Sequence, residues 1–312
     1  MNDNITPYVR YIGADDKDLD LFESQYVVPQ GISYNSYVIT DEKIAVMDTI
    51  DQRKTEEWTV RLEEALEGRT PDYLIVQHME PDHAANIGWF AEKYPEATIV
   101  ASAKAIQMMP QFFEEVNFAG RTQTVKEGDT LCLGQHTLKF IMAPMVHWPE
   151  VMLTYEESEK ILFSADAFGK FGALCHEGEW IDEARRYYFN IVGKYGAQVQ
   201  ALLKKAAGLD IAMICPLHGP VLKENLGYYI GLYDTWSKYE PETEGVVVAY
   251  ASIHGNTAAA ARRMAEILSE KGAAEVMLID LCRDDMALAV ESAFRYSKMI
   301  VAASSYLSLI HI

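Results

Sequence analysis

The sequence predicts an α/β and α+β protein built from two units: a mixed unit in which turns join many strands, then part of a doubly wound parallel sheet. The length of 312 residues suits two domains, and a hydrophobic fraction of 49% is enough to bury a core in each. The patterning changes at the polar, proline-bearing segment "KYEPETEG", residues 238–245. We therefore assign residues 1–243 to the first domain and residues 246–306 to the second.

The overall charge excludes several classes of partner. Lys and Arg number 27 against 46 Asp and Glu, which gives a formal net charge of −19 at pH 7. Such a charge repels nucleic acid and anionic lipid. The N-terminal residues lack the regions of a signal peptide, and no apolar run is long enough for a membrane span. We expect a cytoplasmic protein that binds neither nucleic acid nor membrane.

In the first unit, strands predominate. Alternating apolar residues predict a hairpin over Ile32 to Thr49, and helical spacing predicts a helix over Lys54 to Glu67 that Gly68 ends. Because turns rather than helices join many strands, this unit is not a simple doubly wound sheet. The remaining predicted elements are strand 72–77, helix 84–95, strand 97–102, helix 103–116, strands near 122–125 and 130–142, strand 161–168, a helix near 184–206 and strand 211–220.

The second unit has the pattern βαβαβ. The run "VVVAY" predicts a buried strand, and it is followed by the small polar loop "ASIHGNT" and an alanine-rich helix over Thr257 to Lys271. Strand "VMLID", a helix at 286–296 and strand "MIVAAS" come next. This order is typical of a parallel sheet with helices on its faces.

A cluster of metal-ligand residue types follows the strand predicted at 72–77. Most such clusters are solvated loops, but three later residues, His147, Asp166 and His218, also directly follow apolar runs. Strand ends that converge on one edge of a sheet stack are where sites are built. Together these side chains are enough for two metal ions that share one bridging carboxylate. The cluster lies in "QHMEPDHAAN" and consists of His78, Glu80, Asp82 and His83.

The pattern H-x-[EH]-x-D-H, followed by isolated His, Asp and His at strand ends, resembles the metallo-β-lactamase superfamily, whose fold is an αββα sandwich. Zinc hydrolases of that superfamily have a histidine where this chain has Glu80. A carboxylate is a harder, anionic donor than imidazole and favours iron in its higher oxidation state over zinc. With "SYNSYVI", "HWPEVM", "SADAFG", "CPLHGP" and a flavodoxin-like second unit, the sequence resembles the flavodiiron proteins up to Tyr306.

This resemblance implies two non-haem iron ions in each chain, bridged by Asp166. One iron would be bound by His78, Glu80 and His147, and the other by Asp82, His83 and His218. The family varies in whether the histidine at the position of His83 coordinates, and the alternative is that His83 supports a ligand instead.

The segment "SIHGNT" resembles the FMN phosphate loop of flavodoxins. It lies between a buried strand and a helix, where backbone N–H groups and hydroxyls can bind a phosphate, although a plain turn is the alternative. Ser252, Asn256 and Thr257 match the loop, whereas His254 departs from it. The segment "AASSY" resembles the loop that contacts the isoalloxazine, with the candidates Ser304, Ser305 and Tyr306.

The last six residues, "LSLIHI", do not continue a flavodoxin pattern. The DNA sequence CTG TCT CTT ATA CAC ATC, a transposase end used in sequencing libraries, translates to the same residues. We expect residues 307–312 to be a non-native tail on a truncated flavodoxin-like domain, which would lose FMN or bind it weakly.

The function implied by the resemblance is reduction of dioxygen to water, of nitric oxide to nitrous oxide, or of both. Electrons would pass through FMN from rubredoxin or a similar donor, because this chain has no C-x-x-C pair of its own. A head-to-tail homodimer or higher oligomer would place each FMN against the partner chain's irons.

Two other functions are weighed against this one. A zinc-dependent hydrolase of the same fold, of thioesterase type, is the enzymatic alternative, and Glu80 and the second unit argue against it. A flavodoxin-like electron carrier on a degenerate scaffold would need broken metal ligands, and all seven are intact.

Overall fold

The computed structural model describes residues 4–176 and 178–305. The predicted FMN residue Tyr306 and the predicted tail, 307–312, lie outside the described residues. The chain divides into two units. The first runs up to Ala184 and includes Ala201–Ile230, and the second contains Arg185–Gln200 and the residues from Gly231 onward. The domain division predicted at residues 243–246 differs from these bounds and stays a prediction.

The first unit contains two larger sheets. Its strands in chain order are β1 (Val9–Tyr11), β2 (Ala14–Asp16), β3 (Leu21–Phe22), β4 (Tyr26–Val27), β5 (Ile32–Tyr34), β6 (Tyr37–Thr40), β7 (Ile44–Met47), β8 (Tyr73–Val76), β9 (Thr98–Ser102), β10 (Thr122–Val125), β11 (Thr130–Cys132), β12 (Thr137–Met142), β13 (Met152–Glu156), β14 (Ile161–Phe163) and β15 (Met213–Cys215). One sheet has the order β1-β6-β7-β8-β9-β10, and the other has the order β11-β12-β13-β14-β15. The pairs β2-β5 and β3-β4 form two small sheets.

Helices follow many of these strands. Up to Ser237 they are α1 (Thr55–Leu66), α2 (Pro81–Ala84), α3 (Ile87–Lys93), α4 (Ala103–Phe112), α5 (Trp180–Tyr187), α6 (Gly196–Ala206) and α7 (Leu226–Ser237), with 3₁₀ turns at Gln52–Lys54 and Gly193–Tyr195 and a π-helix at Tyr188–Val192. Helix α1 buries Trp58, Leu62 and Leu66, which share one face because they are spaced by four residues. It ends with Glu67 and Gly68 in the left-handed region, as a C-terminal glycine predicts.

One core joins the two larger sheets. It contains Ile75 and Val100 from the first sheet and Phe140 and Phe163 from the second, each fully buried. The ring of Phe163 meets the ring of Tyr37 edge to face, with centroids 5.4 Å apart. Burial of this shared apolar face holds the sheets together.

The hairpin predicted from Ile32 to Thr49 is correct only in its second half. Strands β6 and β7 pair antiparallel, but β5 pairs with β2 instead. The strand pattern is interrupted at Asn35, whose side-chain amide donates to the carbonyl oxygens of Pro216 and Gly219, both at 2.8 Å.

The continuous helix predicted near 184–206 is interrupted. Helix α5 passes into the π-helix and a 3₁₀ turn before α6 begins at Gly196. Gly193 and Gly196 lie at the interruption, where glycine lowers helix propensity.

The second unit contains the predicted parallel sheet. Its elements are β16 (Thr243–Ala251), α8 (Asn256–Glu270), β17 (Val276–Asp280), α9 (Met286–Arg295) and β18 (Tyr296–Ala303). The strand order is β17-β16-β18, and both pairings are parallel. Within the described ranges, every helix is too short or too polar to span a membrane.

We predict that the inter-sheet core dominates the stability of the first unit. Phe163→Ala removes a buried ring and should lower the free energy of unfolding by about 3–5 kcal/mol. Urea unfolding followed by circular dichroism measures the change. Val60→Ala is the control, because Val60 is 56% exposed on α1 and its truncation should cost no more than about 0.5 kcal/mol. Equal losses for the two variants would contradict this role of Phe163.

Candidate metal centre

The first predicted ligands lie in a tight turn between β8 and α2. The strand ends at Val76, and α2 begins at Pro81, a residue suited to the first position of a helix. The buried carboxylate of Asp48 holds the turn by accepting hydrogen bonds from the backbone N–H of Gln77 at 2.7 Å and from its side-chain amide at 2.8 Å. The turn therefore has a fixed conformation before any ligand is considered.

The remaining predicted ligands come from the second sheet. His147 lies between β12 and β13, Asp166 follows β14, and His218 follows β15. Met145 and Ala165, just before two of these ligands, have positive φ angles of 65° and 48°. A non-glycine residue in this region costs about 1–3 kcal/mol and is often found at functional sites.

All seven predicted ligands come together as two neighbouring groups. Within each group, the candidate ligand atoms lie within 4.8 Å of one another. The first group is His78, Glu80, His147 and Asp166, and the second is Asp82, His83 and His218.

Asp166 lies between the groups and presents one oxygen to each. Its Oδ2 is 3.0 Å from Nε2 of His147 and 3.2 Å from Nε2 of His78. Its Oδ1 is 3.2 Å from Nε2 of His83 and 3.8 Å from Nε2 of His218. A carboxylate placed in this way can bridge two metal ions.

In the first group, Glu80 completes a convergent set of donors. Its Oε2 lies 3.1 Å from Nε2 of His147 and 3.2 Å from Nε2 of His78, and these two nitrogens are 3.4 Å apart. Imidazole nitrogens that point at each other and at a carboxylate are arranged as ligands of a common cation.

The second group has the same arrangement around Asp82. Its Oδ2 lies 3.3 Å from Nε2 of His83 and 3.2 Å from Nε2 of His218. The two imidazole nitrogens are 3.1 Å apart.

The donors fit a pair of bound cations. Among the residues that the structure describes, both carboxylate oxygens of Asp82 and Oδ1 of Asp166 are buried and accept no hydrogen bond. Buried carboxylate oxygens are costly without a partner, and a metal ion would supply one. Imidazole and carboxylate donors without a thiolate suit a first-row transition metal.

Electrostatics at the centre also indicate cation binding. Burial lowers the pKa of His78, but the carboxylates of Asp166, Glu150 and Glu80 outweigh burial and hold that pKa well above its ordinary value. Burial raises the pKa of Asp166, but His78 and His83 outweigh it and hold that pKa well below its ordinary range. The carboxylates therefore favour positive charge on or beside these imidazoles.

A small cavity of about 270 Å³ opens beside Glu80 and Asp82. Its lining combines the apolar side chains Leu19, Leu21, Phe22 and Tyr34 with the charged Glu23, Asp51 and Arg53. The ring of Phe22 lies edge to face on the imidazole of His218, with centroids 5.4 Å apart. Partial burial raises the pKa of Glu23 to about 10, together with the hydrogen bond and the charge of Glu80.

Sequence reasoning missed two carboxylates that support the ligands. Asp48 directly follows the apolar run of β7, the same signal that indicated Asp166. Glu150 lies in the quoted motif "HWPEVM", and its Oε1 is 2.8 Å from Nδ1 of His78. The partner of His218, the backbone oxygen of Ser33 at 2.7 Å from Nδ1, leaves no signal in the sequence because any residue has that oxygen.

The predicted FMN residues within the described part of the chain lie at one end of the parallel sheet in the second unit. Ser252 Oγ accepts a hydrogen bond from the Gly255 N–H at 3.1 Å, and the Thr257 and Ser304 hydroxyls are 2.7 Å apart. Asn256 begins α8, whose N-cap, Gly255, has no side chain to cap the first turn. The uncapped N–H groups and neighbouring hydroxyls fit a phosphate. Ser305 follows β18 and is exposed.

The sequence is similar to a known protein family and to several curated proteins. A family model described as ODP family beta lactamase matches residues 32–219. The anaerobic nitric oxide reductase flavorubredoxin of Aliivibrio fischeri is 31% identical over 319 residues, covering 98% of this chain and 63% of that protein. The chain spans 49% and 71% of the length of two further curated relatives.

Solved structures of an oxygen oxidoreductase and of a flavodiiron protein are also similar to this chain. The rubredoxin oxygen:oxidoreductase of Desulfovibrio gigas has a TM-score of 0.89 and 27% identity, covering 96% of this chain and 76% of that chain. The flavodiiron protein of Giardia intestinalis has a TM-score of 0.86 and 28% identity, covering 93% of this chain and 72% of that chain. The predicted fold, a metallo-β-lactamase αββα sandwich followed by part of a flavodoxin-like parallel sheet, is confirmed.

We predict that Asp166 is needed for both metal positions. Asp166→Ala should reduce bound metal at both, because each group would lose one carboxylate oxygen within 4 Å of its imidazoles. Elemental analysis of protein purified without oxygen measures this. Asp41→Ala is the matched control, since Asp41 is also buried and bound to a histidine, His136, at 2.7 Å. Full metal content in the Asp166 variant would refute a bridging role.

Proposed function

This chain belongs to the flavodiiron protein family, whose members are oxidoreductases, and we propose that it reduces dioxygen to water, nitric oxide to nitrous oxide, or both. The observation that carries the proposal is the position of Asp166 between two buried groups of imidazole and carboxylate donors. A relative named as a nitric oxide reductase and a neighbour named as an oxygen oxidoreductase support both gases as substrates.

The proposed ligands bind two iron ions. His78, Glu80 and His147 would hold one iron, Asp82, His83 and His218 the other, and Asp166 both. When bound, two ferrous ions and a reduced FMN together supply the four electrons that reduction of dioxygen to water requires.

Glu80 is the residue that would select the metal. Its carboxylate lies where it contacts two imidazoles at once, so an ion in that group would have a hard, anionic donor. Such a donor favours iron in its higher oxidation state over zinc.

The cavity beside the centre supports a small substrate. A volume of about 270 Å³ is at the lower limit of ordinary small-molecule sites, and an acyl thioester is much larger than a diatomic gas. Leu19, Leu21 and Phe22 make part of its lining apolar, which suits dioxygen or nitric oxide.

The electron path is part of the same proposal. FMN would bind with its phosphate at Ser252, Asn256 and Thr257 and its ring near residues 304–306. Rubredoxin or a similar carrier would supply electrons, as the name of the Desulfovibrio gigas neighbour suggests. A head-to-tail dimer would bring each FMN to the irons of the partner chain.

A single-turnover experiment tests the reaction without depending on FMN or a carrier. The iron-loaded chain is reduced without oxygen, excess reductant is removed, and a limiting amount of nitric oxide or dioxygen is added. We expect gas consumption with oxidation of the irons, and nitrous oxide formation in the nitric oxide experiment. Asp166→Ala should consume neither gas. Thioester hydrolysis by a zinc-loaded chain, without gas consumption by the iron-loaded chain, would contradict the proposal.

We predict that Glu80→His shifts the metal preference toward zinc, because it replaces the hard carboxylate with an imidazole. The measurement is the iron to zinc ratio of protein from cells supplied with both metals. Glu96→His, at an exposed position, is the control and should leave the ratio unchanged. An unchanged ratio in the Glu80 variant would show that this carboxylate does not select iron.

A further inference from the structure

A buried carboxylate lies behind one of the proposed ligands. Glu150 is 1% exposed, and its Oε1 is 2.8 Å from Nδ1 of His78, which is fully buried. The same oxygen accepts a hydrogen bond from the Met79 N–H at 2.9 Å. The Ser102 hydroxyl donates to the backbone oxygen of Glu150 at 2.7 Å, so the residue is held from both its side chain and its backbone.

The contact with Glu150 determines which ring nitrogen of His78 faces the proposed metal position. Because Oε1 of Glu150 already acts as an acceptor for the Met79 N–H, Nδ1 of His78 is the donor in its contact with that oxygen. That leaves Nε2 of His78, 3.2 Å from both Glu80 Oε2 and Asp166 Oδ2, as the metal-binding nitrogen. A carboxylate on the other ring nitrogen fixes the tautomer and orientation of a ligating histidine and raises its basicity.

We propose that Glu150 is a positioning residue that orients His78 and thereby strengthens metal binding at the position formed by His78, Glu80 and His147. This inference rests on the proposed metal centre. It adds a residue that acts through His78 and affects one metal position more than the other.

At the metal position formed by Asp82, His83 and His218, the histidines have different hydrogen-bond partners. The partner of His218 Nδ1 is the neutral backbone oxygen of Ser33, at 2.7 Å. Nδ1 of His83 is buried and has no hydrogen-bond partner within residues 4–176 and 178–305. The positions therefore differ in the Nδ1 partner shown for one histidine of each, a carboxylate for His78 and a neutral backbone oxygen for His218, and the position next to Glu150 should bind its ion more tightly.

Two variants separate the charge of Glu150 from its shape. Glu150→Gln keeps an acceptor oxygen for Met79 and nearly the same volume but removes the negative charge. Glu150→Asp keeps the charge on a shorter side chain and should recover part of the affinity that glutamine loses. We expect Glu150→Gln to weaken one of the two metal positions about 10- to 100-fold and to leave the other within a factor of about two.

Glu156→Gln is the matched control. Glu156 is also fully buried on β13, and its carboxylate accepts hydrogen bonds from the Ser158 and Glu159 N–H groups at 2.8 and 2.6 Å. The substitution is chemically the same, but the partners are not predicted ligands.

The experiment is a Co²⁺ titration of the metal-free chain without oxygen, followed by visible absorption, with thermal unfolding of each metal-free variant as a check on folding. A two-step titration whose tighter step weakens in Glu150→Gln, recovers partly in Glu150→Asp and is unchanged in Glu156→Gln supports the proposal. Unchanged affinity in Glu150→Gln, or equal weakening in Glu156→Gln, overturns it. If the unsubstituted chain binds no Co²⁺, the proposed metal centre itself fails, which is a separate result.

Discussion

Asp166 is the residue on which the rest of the centre depends. Its two oxygens face different groups of imidazoles, and it is 1% exposed, so its charge cannot be relieved by water. Burying a carboxylate requires nearby positive charge, and His78, His83 and His147 surround it. If these imidazoles carried no proton and no cation were bound, the negative charges of the neighbouring carboxylates would be left uncompensated. This compensation of charge is consistent with the proposed pair of bound ions, one at each group of donors.

Much of the centre could be predicted because each ligand follows an apolar run that becomes a strand. His147, Asp166 and His218 lie after or between strands of one sheet, and the β8 motif lies at the end of a strand in the other. The sandwich brings these strand ends together. Glu150 and Asp48 escaped prediction although each carried a local sequence signal, because their roles depend on contacts across the fold, to His78 and Gln77.

The fold was predicted best where periodic runs were long. Helix α1 and the βαβαβ order of the second unit match the prediction, and the parallel pairing of β16 with both neighbours follows from that order. Strands β1 to β4 were missed because runs of two or three residues are too short to show alternation. The interruption at Asn35 has its hydrogen-bond partners far along the chain, at Pro216 and Gly219, so the sequence near it looked like an unbroken hairpin.

The central claim, that Glu80 and the bridging carboxylate make this an iron centre, is tested most directly by the metal content of the unsubstituted chain. The protein is purified without oxygen from cells supplied with iron and zinc, and metals are measured by elemental analysis together with a Mössbauer spectrum. The account predicts two irons per chain that behave as a coupled pair. Zinc in both positions would contradict it and favour a hydrolase of the same fold.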